Sequence, residues 1–388
     1  MIRPPARRAE DIRPFYVMAL LGRARELEAA GRSIVHMEIG EPDFPTPDAV
    51  VRAGIEALRA GHTHYTAAAG LPALREAIAR SYPAPARPDP RRVVVTPGSS
   101  GALQLALMAL VNPGERVLVP DPGYPCNRHF VRLVEGEAVP VPLGPESGYR
   151  LTPEAVADHW DPRCAATMIA SPANPTGAVL EGPALGALVE AVEARGGMVI
   201  ADEIYHGLYY GTGRLESVLE HSGEAFVVNS FSKYHGMTGW RLGWLVAPEA
   251  FVPVVEKLAQ NLFLAASTPA QYAALAAFRP EVQAELRRRV AVFRERRDYL
   301  VPALRALGFG IPEMPAGAFY VYADCSAFTD DSFRLARDLL EQAGVAVTPG
   351  LDFGRHRPGA HLRFSYAAPR EDLEEGVARI ADFLRRHH

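Results

Sequence analysis

The chain reads as an α/β protein: a mostly parallel, seven-stranded sheet between helices, with a second, smaller α+β layer. Three observations predict this. Between residues 92 and 248, short apolar runs alternate with longer helical patterns. Several of those runs are continuously apolar, as in strands buried on both faces. Beyond residue 280 the pattern changes to one long charged helix, three strands and a terminal helix.

Taken in order, the strand candidates are RVVVT (92–96), RVLVP (116–120), EAVPVPL (137–143), CAATMIA (164–170), GMVIAD (197–202), AFVVNS (225–230) and GWLVAP (243–248). Helical patterns between them include GALQLALMALV (101–111) and GPALGALVEAVEARG (182–196), the latter stopping at Gly196, where a left-handed cap favours glycine. PAPARPDP (83–90) is a Pro-rich surface connector. The later part holds a helix over 281–307, strands GAFYVYAD (317–324), VAVTPG (345–350) and HLRFSYA (361–367), and a helix from 371. That last helix sets Leu373, Val377, Ile380 and Leu384 on one face for docking.

Composition excludes several function classes. With 388 residues, 48% hydrophobic and 22% charged, the chain can bury a sizeable core and two domains, as an ordinary soluble protein does. Its net charge of -4 comes from interspersed residues, so no footprint for nucleic acid or an anionic membrane is expected, and a small-molecule partner is. Cys126, Cys164 and Cys325 are widely spaced and odd in number, which suggests neither a disulfide framework nor a thiolate metal site and fits a cytoplasmic location. The N-terminal stretch lacks a signal-peptide core, and no apolar run approaches the roughly 20 residues of a membrane span. His62 and His64 have no third ligand nearby in sequence, so no catalytic metal is expected.

In such sheets, sites form at the carboxyl ends of the strands and between domains. Three strand ends carry chemistry. VVVTPGSSGALQL runs strand, small-residue turn, helix, and backbone N–H groups at a helix start can hold a phosphate; Ser99 or Ser100 as a plain N-cap is the alternative. GMVIAD ends in Asp202, a carboxylate whose ionisation at a buried strand end calls for a cationic partner, or else a structural salt bridge or cap. AFVVNS leads into SFSKYHGMTGWRLGW, where Ser230, Ser232 and Arg241 could pair with phosphate oxygens around Lys233. A lysine in a desolvated, cationic neighbourhood has a lowered pKa and a nucleophilic neutral amine. Only Lys233 and Lys257 occur among 41 basic residues, so arginine holds nearly every surface role, and Lys233 does not read as surface filler.

Pyridoxal phosphate needs this set: an amine for its aldehyde, an acid for its pyridine nitrogen and an anchor for its phosphate. The chain resembles the fold-type I pyridoxal-phosphate enzymes of the class I/II aminotransferase family over nearly its whole length. The likeness rests on EIGEPDFPTP (38–47), HYTAAAGLPALREAI (64–78), TPGSSGA (96–102), DPGYP (121–125), SPANPTGAVL (171–180), ADEIY (201–205), SFSKYHGMTGWRLGW (230–244) and LRFSY (362–366). It implies an N-terminal arm with part of the small domain over 1–45, a large cofactor-binding domain over 46–285 and a small domain over 286–388. It implies further that Lys233 is the Schiff-base lysine, that Asp202 pairs with the pyridinium, and that Tyr205 and Asn174 hydrogen-bond the ring's phenolate oxygen. Tyr124 would stack on the ring, or else simply pack. Ser99, Ser100, Ser230, Ser232 and Arg241 would bind the phosphate, with capping of the turn as the alternative for Ser232, and Tyr65 would reach the phosphate of the neighbouring subunit in a homodimer. Arg363 would clamp the substrate α-carboxylate, and the Gly40 backbone would approach the substrate as the arm closes.

On this resemblance the reaction is amino transfer, with Lys233 as the base at the substrate Cα. β-Elimination, as in C–S lyases, uses the same groups and stays open; a non-catalytic ligand-sensing domain is a remoter alternative. In dicarboxylate-specific members basic or hydroxylated residues meet the second carboxylate. An ungapped alignment of 14–28 with the arm puts Phe15 and Val17 where hydroxyls would be expected. The pocket therefore reads as apolar, for an alanine, hydrophobic or aromatic donor with pyruvate or 2-oxoglutarate as acceptor, although Phe15, Tyr16 and Val17 could equally be packing residues.

Overall fold

A computed structural model describes residues 5–387; residues 1–4 of the arm segment and the terminal His388 lie outside the described residues. Its strands are β1 (Val35–His36), β2 (Val93–Thr96), β3 (Arg116–Asp121), β4 (Glu137–Pro142), β5 (Cys164–Ala170), β6 (Met198–Asp202), β7 (Phe226–Ser230), β8 (Gly243–Val246), β9 (Tyr320–Asp324), β10 (Val345–Ala346), β11 (Thr348–Pro349) and β12 (His361–Ser365). Strands β2 to β8 are the seven expected from sequence, and they form one sheet in the order β2-β8-β7-β6-β5-β3-β4. All neighbours in it are parallel except that β8 is antiparallel to both β2 and β7. Continuous apolar runs such as VVVT in β2 are buried at every position, because helices cover both faces.

The helix after β2 spans Gly98–Leu110, starting three residues earlier than the apolar pattern from 101 suggests. The helix Gly182–Glu193 ends just before Gly196, whose φ of +75° is the left-handed conformation expected there.

A second core lies outside this sheet. It joins Leu20, Ala24 and Leu27 of the helix Tyr16–Ala29, together with Val35 and Met37, to residues from the C-terminal hundred. Strand β1 pairs with β10, while β11, β12 and β9 form a three-stranded antiparallel sheet. The stretch VAVTPG, expected as one strand, is therefore split between two sheets. The long helix Pro280–Ala306 crosses from one core to the other. Val282 and Leu286 pack under the large sheet, and Phe293, Leu300, Val301 and Leu304 pack in the second core. The terminal helix Arg370–His387 docks through Leu373, Ile380, Phe383 and Leu384, with Val377 partly buried.

The arm helix Tyr16–Ala29 starts at Phe15, which supplies no capping side chain. Its first N–H groups are satisfied from far along the chain: the Asp352 carboxylate accepts from the backbone N–H of Tyr16 and of Val17, each at 2.8 Å. This fixes the arm beside the strand ends. Among the described residues, no helix is long and apolar enough to cross a membrane.

Candidate active site

Strands β2, β3, β5, β6 and β7 end at one edge of the sheet and deliver Gly98, Tyr124, Asn174, Asp202 and Lys233 there. Strand β8 runs the opposite way and begins at that edge, so Arg241, two residues before it, arrives at the same place. A cavity of about 280 Å³ at this edge is lined by Ser99, Ser100, Tyr124, Asn174, Asp202, Tyr205, Ser232, Lys233 and Arg241. The arm and the second core close it with Phe15, Val17, Gly40, Tyr320 and Arg363. A larger cleft of about 810 Å³ opens beside it, against the helix Cys126–Leu133. That cleft touches none of Lys233, Asp202 and Arg363, so the chemistry belongs to the smaller cavity.

One end of the cavity is built for an anion. The helix Gly98–Leu110 has no side-chain cap, so its first N–H groups keep their partial positive charge for a ligand, and neither Ser99 nor Ser100 is the cap. Gly98 has φ +68°, and a Cβ there would lie 2.6 Å from Nη2 of Arg241. Only glycine lets the guanidinium come this close to the helix start. Arg241 is itself left-handed (φ 52°) and donates Nη1–H to the Thr238 carbonyl at 3.0 Å. Ser230 departs from the expectation of a phosphate contact. It is 1% exposed and does not line the cavity; its Oγ sits 2.8 Å from Ser232 Oγ and 3.1 Å from the Leu242 carbonyl. It is the last residue of β7, and its Oγ also accepts from the Ser232 N–H at 3.1 Å, so it orders Ser232.

At the centre, Lys233 Nζ donates to the Gly40 carbonyl at 2.5 Å. Burial pushes its ammonium down to about 8; Glu41 opposes the shift, and Arg363 and Arg241 add to it. Asp202 is pushed up to about 7, again by burial, against a hydrogen bond from the Ile204 N–H. Among the described residues that N–H is its one hydrogen-bond donor. Burial also raises the Tyr124 and Tyr205 phenols, which keeps them neutral hydrogen-bond donors.

The other end of the cavity is organised around Arg363, which is 5% exposed. Nη1 donates to Asn174 Oδ1 at 3.0 Å, and Nη2 to the Glu38 carbonyl at 2.6 Å and to Thr348 Oγ1 at 3.3 Å. Nε is buried without a partner. Of an arginine's five N–H donors, Nε–H is thus sealed off and one Nη1–H is left for a ligand.

Tyr65 is 81% exposed and does not line this chain's cavity. His62 stacks on the Tyr272 ring at 4.0 Å. Sequence reasoning missed Glu38, Tyr320, Thr348 and Asp352. The strand GAFYVYAD was recognised, and its alternation puts Tyr320 and Tyr322 on one face, but only pairing with β12 shows that this face carries Arg363.

This donor set fits pyridoxal phosphate. Lys233 offers an amine near neutrality, Asp202 a buried carboxylate without a cation bonded to it, and Gly98, Ser99, Ser100, Ser232 and Arg241 an anion cradle that a side chain at residue 98 would fill.

Comparison with known proteins agrees with the geometry. The model of the family "Aminotransferase class I and II" matches residues 32–380. The chain is 39% identical to the valine–pyruvate aminotransferase of Mycobacterium tuberculosis, covering 96% of each chain. It is 34% identical to the aspartate aminotransferase of Geobacillus stearothermophilus, covering 98% of each. It superposes on a crystal structure of an aminotransferase from Mycobacterium tuberculosis with a TM-score of 0.95 and 39% identity, over 99% of this chain and 100% of the other. Fold, site and relatives agree, and the chain belongs to the class I and II aminotransferases, a pyridoxal-phosphate-dependent family of homodimeric enzymes acting on amino and 2-oxo acids.

Proposed function

We propose that the enzyme moves the amino group of a neutral L-amino acid, such as alanine or a hydrophobic or aromatic one, to a 2-oxo acid such as pyruvate or 2-oxoglutarate. One observation carries this reading. Among the described lining residues the only lysines and arginines are Lys233, Arg241 and Arg363, and each has a task at the cofactor or the α-carboxylate. Around them stand the apolar Phe15, Val17, Met18, Leu21, Ile39 and Phe353, the carboxylates Glu38 and Asp352 and the hydroxyls of Tyr320 and Thr348, so no cation in this lining is left for a second carboxylate. A relative named for valine and pyruvate supports the same choice.

In this proposal bound pyridoxal phosphate supplies the aldehyde and the electron-withdrawing ring. Lys233 would hold it covalently until the substrate amine displaces it and frees Nζ, Asp202 would keep its ring nitrogen protonated, Tyr205 and Asn174 would donate to its phenolate oxygen, and Tyr124 would stack on it. Ser99, Ser100, Ser232 and Arg241 hold the phosphate, with Ser230 acting through Ser232. Arg363 grips the substrate α-carboxylate and so fixes which substituent of Cα faces Lys233. Lys233 Nζ, close to neutrality, then takes and returns the Cα proton. The Gly40 carbonyl, bonded to Nζ, aims the amine while the arm residues Phe15 and Val17 exclude water.

The division of the chain near residues 45 and 285 belongs to the same proposal, supported by the two cores and the helix that crosses between them. The exposure of Tyr65 supports its service to the neighbouring subunit of a homodimer. The three free cysteines support a reducing, cytoplasmic location. A screen of amino donors and 2-oxo acceptors on purified holoenzyme tests the substrate reading. Aspartate as the best donor by a wide margin would overturn it.

A further inference from the structure

Tyr320 has no role in the scheme above, yet it touches three residues that do. Its hydroxyl lies 2.8 Å from the Tyr205 hydroxyl. The Arg363 guanidinium sits over its ring, 4.3 Å from the centroid. A Cβ on Gly40 would come within 2.5 Å of its Oη. The sheet register produces this placement. Tyr320 pairs with Ser365 and Tyr322 with Arg363, so both tyrosines share the face that carries the arginine.

Tyr320 is 1% exposed, and a buried phenol needs a partner. The only partner its hydroxyl has among the described residues is Tyr205. Two neutral phenols share one proton along their common hydrogen bond and leave the other free. If Tyr205 donated, the Tyr320 proton would be left over at a crowded contact under Gly40, and Tyr205 would have nothing to offer the cavity. If Tyr320 donates, the Tyr205 proton is free to point into the cavity, and Tyr205 becomes the stronger donor because its own oxygen is accepting. The cation over the Tyr320 ring favours this direction, since it stabilises negative charge building up on the donor oxygen.

We propose that Tyr320 is a positioning residue that donates its hydroxyl to Tyr205 and thereby turns the Tyr205 proton onto the phenolate oxygen of the bound cofactor. The inference rests on the reading of Tyr205 given above. Its consequence is spectroscopic. A well-placed donor stabilises the negative oxygen and makes the proton on the lysine–cofactor bond easier to lose, so weakening that donor raises the pH at which the absorbance of the bound cofactor changes.

The test is an absorbance titration of the holoenzyme against Tyr320→Phe, which keeps the ring under Arg363 and removes only the hydroxyl. The expected result is an upward shift of the midpoint by about 0.4–1 pH unit, the effect of one neutral hydrogen bond. Tyr205→Phe is expected to shift it further, and Tyr320→Phe added to Tyr205→Phe to do nothing more. An unchanged midpoint in Tyr320→Phe beside a shifted one in Tyr205→Phe would overturn the relay alone. An unchanged midpoint in Tyr205→Phe would overturn the relay together with the role given to Tyr205, and a full additional shift in the double variant would show that Tyr320 acts by another route. Thermal unfolding of each variant separates these outcomes from loss of fold.

Discussion

Replacing Arg363 by lysine keeps the positive charge and changes the geometry, which makes it a sharp test of the carboxylate clamp. In the native chain three of the five N–H donors are engaged by Asn174, the Glu38 carbonyl and Thr348, Nε–H is buried, and one Nη1–H remains for the substrate. A lysine has three donors on one atom. If all three keep Asn174, the Glu38 carbonyl and Thr348 in place, none is left, so the substrate loses one charge-assisted hydrogen bond and the planar guanidinium. Such a bond is worth about 1.5–3 kcal/mol, which corresponds to a fall of about 10- to 150-fold in kcat/KM. Arg363→Ala removes the charge as well and is expected to cost about 2–5 kcal/mol, roughly 30- to several-thousand-fold. The assay is the single-turnover conversion of the bound cofactor by an α-amino acid and, in parallel, by the corresponding amine without a carboxylate. The amine has nothing for the clamp to grip, so its rate is expected to change little. Equal losses for amino acid and amine, or a kcat/KM within threefold of native in Arg363→Lys, would refute the assignment.

Further outcomes follow from three other residues. With its pKa near 8, about a quarter of Lys233 is neutral at pH 7.5, against about one part in a thousand for an ordinary lysine, so cofactor association should accelerate as pH rises and level off above 8. In Lys233→Ala no borohydride-reducible bond to the chain should form, and its persistence would point to Lys257. His36, held between Glu38 and Glu28, has its pKa pushed up to about 9, first by the Glu38 hydrogen bond and against burial. Because the folded value lies above the ordinary 6.5, this pair stabilises fully below about pH 6.5 and its contribution fades as pH climbs through 9. The melting temperature of His36→Gln should therefore fall below that of the native enzyme most at pH 6 and least above pH 9, on the order of 1–3 kcal/mol at the maximum; a constant gap would contradict the pairing. Asp352→Ala strips the arm helix of its cap, worth about 0.5–2 kcal/mol. Amide exchange over residues 16–20 should then quicken by about 2- to 30-fold and KM for bulky apolar donors should rise, whereas unchanged exchange would mean that the arm is held elsewhere.

What was legible in the sequence was whatever local chemistry determines. Continuous apolar runs mark strands buried on both faces, and all seven strands of the large sheet lie where those runs fall. Direction is different. GWLVAP has the same apolar character as its neighbours, yet β8 is antiparallel, because burial on both faces says nothing about which way a strand runs. That reversal is what brings Arg241 to the carboxyl edge. Lys233 stood out by its rarity and its hydroxyl and arginine neighbours, whereas Asp202 and Arg363 have ordinary structural uses at such positions and took their roles from the family resemblance. From sequence Ser232 has a turn cap as its alternative and Ser230 has none, yet it is Ser232 that lines the cavity, because where β7 ends decides which hydroxyl reaches it.

The residues that stayed hidden share a physical cause. Tyr320 meets Tyr205 across 115 residues, and Asp352 meets Tyr16 across 336. Neither belongs to a local pattern: a tyrosine on an apolar strand reads as packing, and an aspartate after Gly350 and Leu351 reads as a turn. Their roles depend on hydrogen-bond valence, which becomes visible only when both partners are placed. The helix beginning at Tyr16 has N–H groups that nothing nearby can satisfy, and a buried Tyr320 hydroxyl must be satisfied by something. A chain can thus show its cofactor chemistry in eight short stretches and leave unreadable the contacts that aim it, because the first is fixed by residue type and the second by closure of the fold.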